Sequence, residues 1–442
     1  MSTMLALHRS PSPPSSLRVL ALAGVVALGC LSAGCNDDKK AAGLGGAGGG
    51  GGAGMAATAS GMAILNSDYQ TTSVSLYAPA SGQLVDACVT SGVTSATLTQ
   101  PLSDDVMLPT QAQVGGKLVL LDNAASVLTF VDPASCAVTA QLSVTTGGFN
   151  SFPHDIVTLS STKAYVTRYQ TNAMPTADPA DFDEGDDLLI VDPALLTVTG
   201  RFALTAYATP GPGGAPTQAR PDRALLAGGL VYVTLNSIDA NFTATGAGRV
   251  AIVDPTADMV TGVIDLPNQK DCSGMTYVAA TKKLYVACGG AFTDAAQAAE
   301  SALVEIDLSG AAPVVGRSFQ AAALGTGTES LNFFYAAVSG DTAFVGTLGL
   351  FADEKSGFAG TPDAFYAVSL TTGVPVKLAT GEAGTLGSAV VNEAAKRLFL
   401  PDASATAPLV HIFDVSGAVP VALPGFEPNP STHLPPRSIA GL

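Results

Sequence analysis

The sequence predicts an all-β fold, and three observations carry the prediction. The 442 residues include 48 glycines and 28 prolines, which suits many short elements and few long helices. Apolar runs are brief and rich in Val, Ile and Thr, whose branched side chains favour a pleated strand. One hairpin pattern also recurs, clearest from Leu188 to Phe202, LLIVDPALLTVTGRF. There an apolar run meets an Asp-Pro corner and a β-branched run leads out. Proline presets φ and lacks an amide hydrogen, so it suits the corner between two antiparallel strands. Copies begin at Ser75, Leu128, Val250, Leu303, Phe365 and His411. They place Ala78, Asp132, Asp192, Asp254, Asp307, Ser369 and Asp414 in one register.

A second element alternates with the hairpins, a short strand ending in small or polar residues. It reads Ala63-Ile64-Leu65, Leu118-Val119-Leu120, Tyr165-Val166-Thr167, Tyr232-Val233-Thr234, Tyr285-Val286-Ala287, Phe344-Val345-Gly346 and Leu398-Phe399-Leu400. A further strand usually precedes it across a tight turn, as Ile156 to Leu159 precedes Ser161-Thr162. Each unit then has four strands, and such repetition reads as blades in a ring. The expected fold is a seven-bladed β-propeller of four-stranded blades, one domain over residues 61–442. Blade one starts at its second strand, Ala63, whereas Leu434 to Ala440 matches Arg220 to Leu226, the opening of blade four. The C-terminal strand is therefore expected to complete blade one and close the ring, removing exposed sheet edges.

The Tyr-Val-Thr copies and strand-Asp-Pro hairpins over residues 62–442 resemble the YVTN-type (YncE-like) β-propellers. The family's blades are more compact, so the excess here falls in loops. Other propeller families with quinone or sialic-acid chemistry rely on Trp-containing blade motifs or Asp-boxes; this chain has no Trp and no such box.

Residues 1–34 read as a targeting segment: Arg9 and Arg18 precede an apolar run, Val19 to Leu31, too short to span a bilayer comfortably. Leu31-Ser32-Ala33-Gly34-Cys35 then resembles the lipobox of bacterial lipoproteins, which implies a signal peptide over 1–34 and lipidation of Cys35. Ordinary signal cleavage with an unmodified Cys35 is the alternative. By the same resemblance, Asn36 after the cysteine points to the outer membrane of the cell envelope. Residues 35–60, with the run GLGGAGGGGGAG, cannot bury a core and read as a flexible tether. The glycines are no nucleotide site, because no strand precedes them and no helix follows.

Formal charge is −16, which repels phosphate backbones and argues against nucleic acid as a partner. The expected partners are a membrane, reached through the anchor, and an unidentified protein or small-molecule ligand; a monomer is expected. An exported chain favours disulfides. Cys272 and Cys288 flank one hairpin and face each other, which leaves Cys88 and Cys136, on adjacent blades, as a second pair. A zinc site is the rival, but no Cys-x-x-Cys spacing or nearby His supports it.

In a propeller the longer loops here, among them 170–187 and 237–247, share one face, so a ligand site is expected there or in the channel mouth. Polar residues at the entrances of inner strands are the candidates: His154, Asp155, Arg220, Asp222, Arg223, Glu329, Asn332 and Arg437. They can ring the channel mouth and hold a polar or anionic ligand, or only satisfy backbone groups there. The loop carrying Asp178, Asp181, Asp183, Glu184, Asp186 and Asp187 has the oxygen ligands calcium needs, although Gly185 falls one residue early for an EF-hand. A solvated acidic loop is the alternative, so calcium is the one cofactor in view. Beyond the leader only His154, His411 and His433 remain, and no Gly-x-Ser-x-Gly appears, so a catalytic triad is not expected. The leading functional expectation is a non-catalytic, lipid-anchored binding or scaffolding module. The alternative is a metal-dependent hydrolase of lactonase type, with Asp155, Asp222 or Glu329 converging with Asn332 on one ion.

Overall fold

The second and third strands of the repeated units are buried along nearly their whole length, so each sheet must be covered on both faces. In the computed structural model each four-stranded sheet covers its neighbour's face, and seven of them form a ring. The structure describes residues 61–92, 98, 100–145, 149–291, 297–325, 327, 329–352 and 359–442. The signal, Cys35 and the tether lie outside them. Among the described residues no helix is long and apolar enough to cross a membrane.

Blade three shows the common plan. Its strands are Pro153–Ser160, Lys163–Thr171, Gly185–Asp192 and Thr197–Ala203, running antiparallel from the channel outward. The seven residues placed in register by the sequence each end a third strand: Ala78, Asp132, Asp192, Asp254, Asp307, Ser369 and Asp414. The aspartates do so for a local reason. Asp192 Oδ1 accepts from the amides of Ala194 and Leu195 at 2.8 and 3.0 Å, and Asp254 Oδ1 from Thr256 at 2.7 Å. The carboxylate so folds the next residues into the turn.

The core is likewise divided into seven apolar clusters, each lying between two neighbouring blades. With no Trp, the large ring positions of the second strands go to Tyr165, Tyr285, Phe344 and Phe399, all buried. Where blades approach closely only glycine fits: a Cβ on Gly274 would stand 2.3 Å from the Tyr335 backbone.

Blade one is completed by the far end of the chain. Pro436–Gly441 lies antiparallel to Met62–Ser67, with Ala63 opposite Ala440 and Ile64 opposite Ile439. Arg437 ties this strand down, donating from Nε to Ser67 O at 3.0 Å with its guanidinium 4.6 Å from the Tyr69 ring centre. Both expected disulfides are present. Cys88–Cys136 joins blades one and two, and Cys272–Cys288 bridges directly paired positions in blade five.

Candidate functional site

The inner strands enclose a channel of about 1730 Å³. One wall, built by four consecutive blades, is polar. His154 and Asp222 occupy equivalent places on the inner strands of blades three and four, each two residues ahead of the partner of a second-strand Val: Ile156 opposite Val166, Ala224 opposite Val233. The fold so brings together residues far apart in sequence. His154 Nδ1 lies 2.8 Å from Asp222 Oδ1. Asn236 Nδ2 donates to Asp271 Oδ1 at 2.6 Å and to Asp222 Oδ2 at 3.3 Å, extending the chain to blade five. Arg223 Nε stands 3.7 Å from Asp222 Oδ1, and its Nη1 donates to the carbonyls of His154 and Leu108 at 3.1 and 3.3 Å. Asp105 enters from blade two and accepts from Asn123 Nδ2 at 3.4 Å.

A stack of flat groups holds the imidazole in place. His154 lies on Tyr169 with ring centres 4.2 Å apart and planes 12° from parallel. The Arg220 guanidinium sits 5.0 Å from Tyr169 and 4.2 Å from Phe242. Arg220 is itself pinned by the Ile238 and Asp239 carbonyls and by Gln170 Oε1, at 3.2, 3.2 and 3.1 Å. Such stacking orients a ring as well as burying it.

Electrostatics separate the carboxyl groups of this wall. Burial pushes Asp222 upward, but His154 and then Arg223 outweigh it and hold the group at about 2. Burial and the adjacent Asp222 push Asp271 up to about 8, against a weaker opposite effect of the Asn236 bond. Burial lifts Asp105 to about 6 despite His154 nearby. At neutral pH the wall therefore holds an ionised Asp222 beside a protonated Asp271. Among the buried side-chain atoms without a hydrogen-bond partner in the described residues, four belong to this wall: His154 Nε2, Arg223 Nε, Asn236 Oδ1 and Asn123 Oδ1. Buried polar atoms are rarely left so, and a cluster of them beside a cavity marks a place for a ligand.

Of the eight residues picked from the sequence, His154, Asp222, Arg223, Asn332 and Arg437 line the channel, whereas Asp155, Arg220 and Glu329 do not. Asp155 instead knits three blades together: Oδ1 accepts from Thr110 N at 3.0 Å and from Ile156 N at 2.8 Å, and Oδ2 from Ala224 N at 2.9 Å. Asn332 Nδ2 donates to Leu386 O at 3.0 Å, on another part of the ring. The partners of Asp155, Asp222 and Asn332 thus lie apart, and these three side chains do not converge on one point.

The acidic loop is occupied with its own folding. Asp178 caps a short turn through Ala180 N at 2.9 Å, and Asp183 Oδ2 accepts from Thr176 N at 3.0 Å. Thr176 Oγ1 donates to Asp181 Oδ2 at 2.7 Å, and Glu184 pairs with Arg201 at 2.9 Å. Asp186 accepts from the amides of Ala219 and Arg220 at 3.1 and 2.6 Å. Asp187, fully buried, meets Arg168 through both oxygens at 2.8 and 2.6 Å and Arg201 at 2.6 Å. Among the described residues no three His, Cys, Asp or Glu side chains are grouped so as to hold a metal ion.

Asp105, Asn123, Asn236 and Asp271 were not picked from the sequence. One signal was present: Asp271 immediately precedes an inner strand, as Arg220 precedes that of blade four. Both take the left-handed conformation, φ 51° and 49°, at matching turns.

No protein-family model matches the sequence, and no curated protein does. Solved structures are similar in fold. A Bacteroides uniformis protein provisionally described as a 6-phosphogluconolactonase is 10% identical with a TM-score of 0.50, over 86% of this chain and 98% of that one. A Bacteroides fragilis protein of like description is 9% identical, TM-score 0.49, over 86% and 96%. The β-propeller domain of Cps50 (Swd1) from Myceliophteria thermophila is 11% identical, TM-score 0.49, over 80% and 95%. At these identities the likeness speaks of the fold alone, and this chain is a seven-bladed β-propeller.

Proposed function

We propose that the chain is a lipid-anchored propeller of the bacterial cell envelope, of the YVTN type, which binds a small polar molecule in the mouth of its channel. The observation that carries the binding reading is the polar wall: a continuous hydrogen-bonded row from His154 through Asp222 and Asn236 to Asp271, with buried unpartnered polar atoms on residues that line a large cavity. Anchoring rests on the segment ending at Cys35 and the tether over 35–60. Residues 61–442 form the binding domain.

The hydrolase reading would need carboxylates such as Asp155, Asp222 or Glu329 to converge with Asn332 on one ion, and the separate hydrogen-bond partners of Asp155, Asp222 and Asn332 give it no support. The name given to the Bacteroides uniformis protein keeps sugar lactones among the molecules worth offering.

The test is a melting-temperature screen of small polar metabolites, sugar lactones included. It compares the native chain with Asn236→Ala, which breaks the hydrogen-bonded row between Asp222 and Asp271. Ligands that raise the melting temperature of the native chain only, with the variant folded, support the reading. Equal shifts in both chains would place binding away from this row and end it.

A further inference from the structure

His154, Asp271 and Arg223 have more in common than a shared wall. The Asp222 carboxylate occupies Nδ1 of the imidazole, so the opposite nitrogen, Nε2, carries the free valence; it is buried and has no partner among the described residues. Tyr169 and Arg220 prevent the ring from turning away. This is the arrangement of a positioned base. Two bonds further along the same row, Asp271 is held by Asn236 and lines the cavity. Burial and Asp222 keep its proton on at neutral pH, which makes it a donor. The charged or titratable groups around His154 are Asp222, Arg223 and Asp105, from blades four and two, and the Tyr169 phenol stacked on it from blade three. Base and donor thus border one cavity with a guanidinium beside them.

We infer that this wall is an acid–base centre for a small carbonyl compound, with His154 Nε2 as the base and the Asp271 carboxyl as the donor to the carbonyl oxygen. The inference rests on the channel mouth being a ligand site. In the step, the C–H bond next to the carbonyl breaks and its proton forms an N–H bond at His154 Nε2. The electron pair left on carbon forms the C=C bond of an enol, and the carbonyl π pair moves onto oxygen, which takes the Asp271 proton. Return of the imidazolium proton to the same carbon, and of the enol proton to Asp271, re-forms the carbonyl and completes a hydrogen exchange at that carbon. No oxidant, reductant or metal ion enters the balance. Arg223, beside Asp222, limits the charge that builds up as Asp271 ionises.

The probe is 4-nitrophenol, an acid whose anion mimics an enolate and absorbs differently from the neutral phenol. It is mixed with the purified full chain in a buffer slightly below its own pKa. The expected spectrum of the bound probe is that of the phenolate, its proton having passed to His154 and its oxygen accepting from Asp271. His154→Gln should leave the bound probe neutral, and Asp271→Leu should weaken binding roughly ten-fold or more, the scale of one lost oxyanion donor. Should Asp271→Leu fail to fold, Asp271→Asn keeps a donor and the shape. It should then retain binding but lose the decline in affinity that the native chain shows as pH rises through about 8. A bound probe that stays neutral, or a phenolate spectrum indifferent to both substitutions, overturns the inference and leaves the ligand site standing. A probe whose binding is neither weakened by Asn236→Ala nor competed away by a channel ligand removes both.

Discussion

Asp187 and Asp271 show how differently two buried carboxylates can be employed. Asp187 is fully paired: Arg168 takes both its oxygens and Arg201 adds a further bond. Removing it strands two guanidinium groups, one of them 1% exposed, so Asp187→Ala should cost about 3–5 kcal/mol, read from denaturant midpoints. A loss under about 1 kcal/mol would mean the pair contributes no more than a surface one. Asp271 has no cation, and its proton is retained from the ordinary 3.8 up to about 8. In that window the folded chain holds a proton the unfolded chain has released, so this group's contribution to stability falls as pH rises through it. Asp271→Asn should flatten that part of the profile and raise the melting temperature at alkaline pH. Parallel profiles for the two chains would contradict the assignment. Asp222 acts in the opposite sense: held at about 2, it adds stability above the ordinary carboxylate range that is lost as pH falls toward 2.

Among the elements, the closing strand and the disulfides do the joining that seven separate sheets require. Pro436–Gly441 satisfies the inner edge of blade one and buries Ile439 and Ala440 against neighbouring blades. At blade seven, a Cβ on Gly387 would stand 2.0 Å from Arg437 O, so only glycine permits this contact with the closing strand. Deleting residues 434–442 should therefore lower the melting temperature sharply and expose an edge that promotes aggregation; an unchanged melt would mean the ring does not depend on this strand. Cys88–Cys136 spans 48 residues and Cys272–Cys288 spans 16. By loop closure these contribute at most roughly 4 and 3 kcal/mol, so reductant should destabilise the fold and Cys88→Ser somewhat more than Cys272→Ser. The reverse order would show that loop length does not rank the two bridges.

For the whole molecule, the ring and its channel were legible in advance, while most of what faces the channel was not. The third-strand register from Ala78 to Asp414, the seven second strands and the return of the C-terminus to blade one were all visible in the repeats, and the structure has them as expected. His154, Asp222 and Arg223 were visible as inner-strand polar residues, but Asp155 and Arg220 from the same positions turned out to serve neighbouring backbones. Anchoring is tested at this scale: Cys35→Ser should move the protein from the membrane fraction to the soluble one. Retention of the variant at the membrane would refute lipidation as the anchor.

What the sequence determined by itself is everything set by local pattern. Brief β-branched runs, Asp-Pro corners and a repeated unit specify strands, turns and blade number, because each depends on residues within one blade. Cysteine pairing followed too, since hairpin geometry and adjacent blades leave few partners. The tertiary structure alone decided which side chains meet. His154 and Asp222 are 68 residues apart, and Asn236 reaches Asp271 across 35, because a ring apposes equivalent positions of successive blades. The proton affinities of Asp222 and Asp271 depend on burial and on the charges beside them. Neither quantity exists until the blades have closed around the channel.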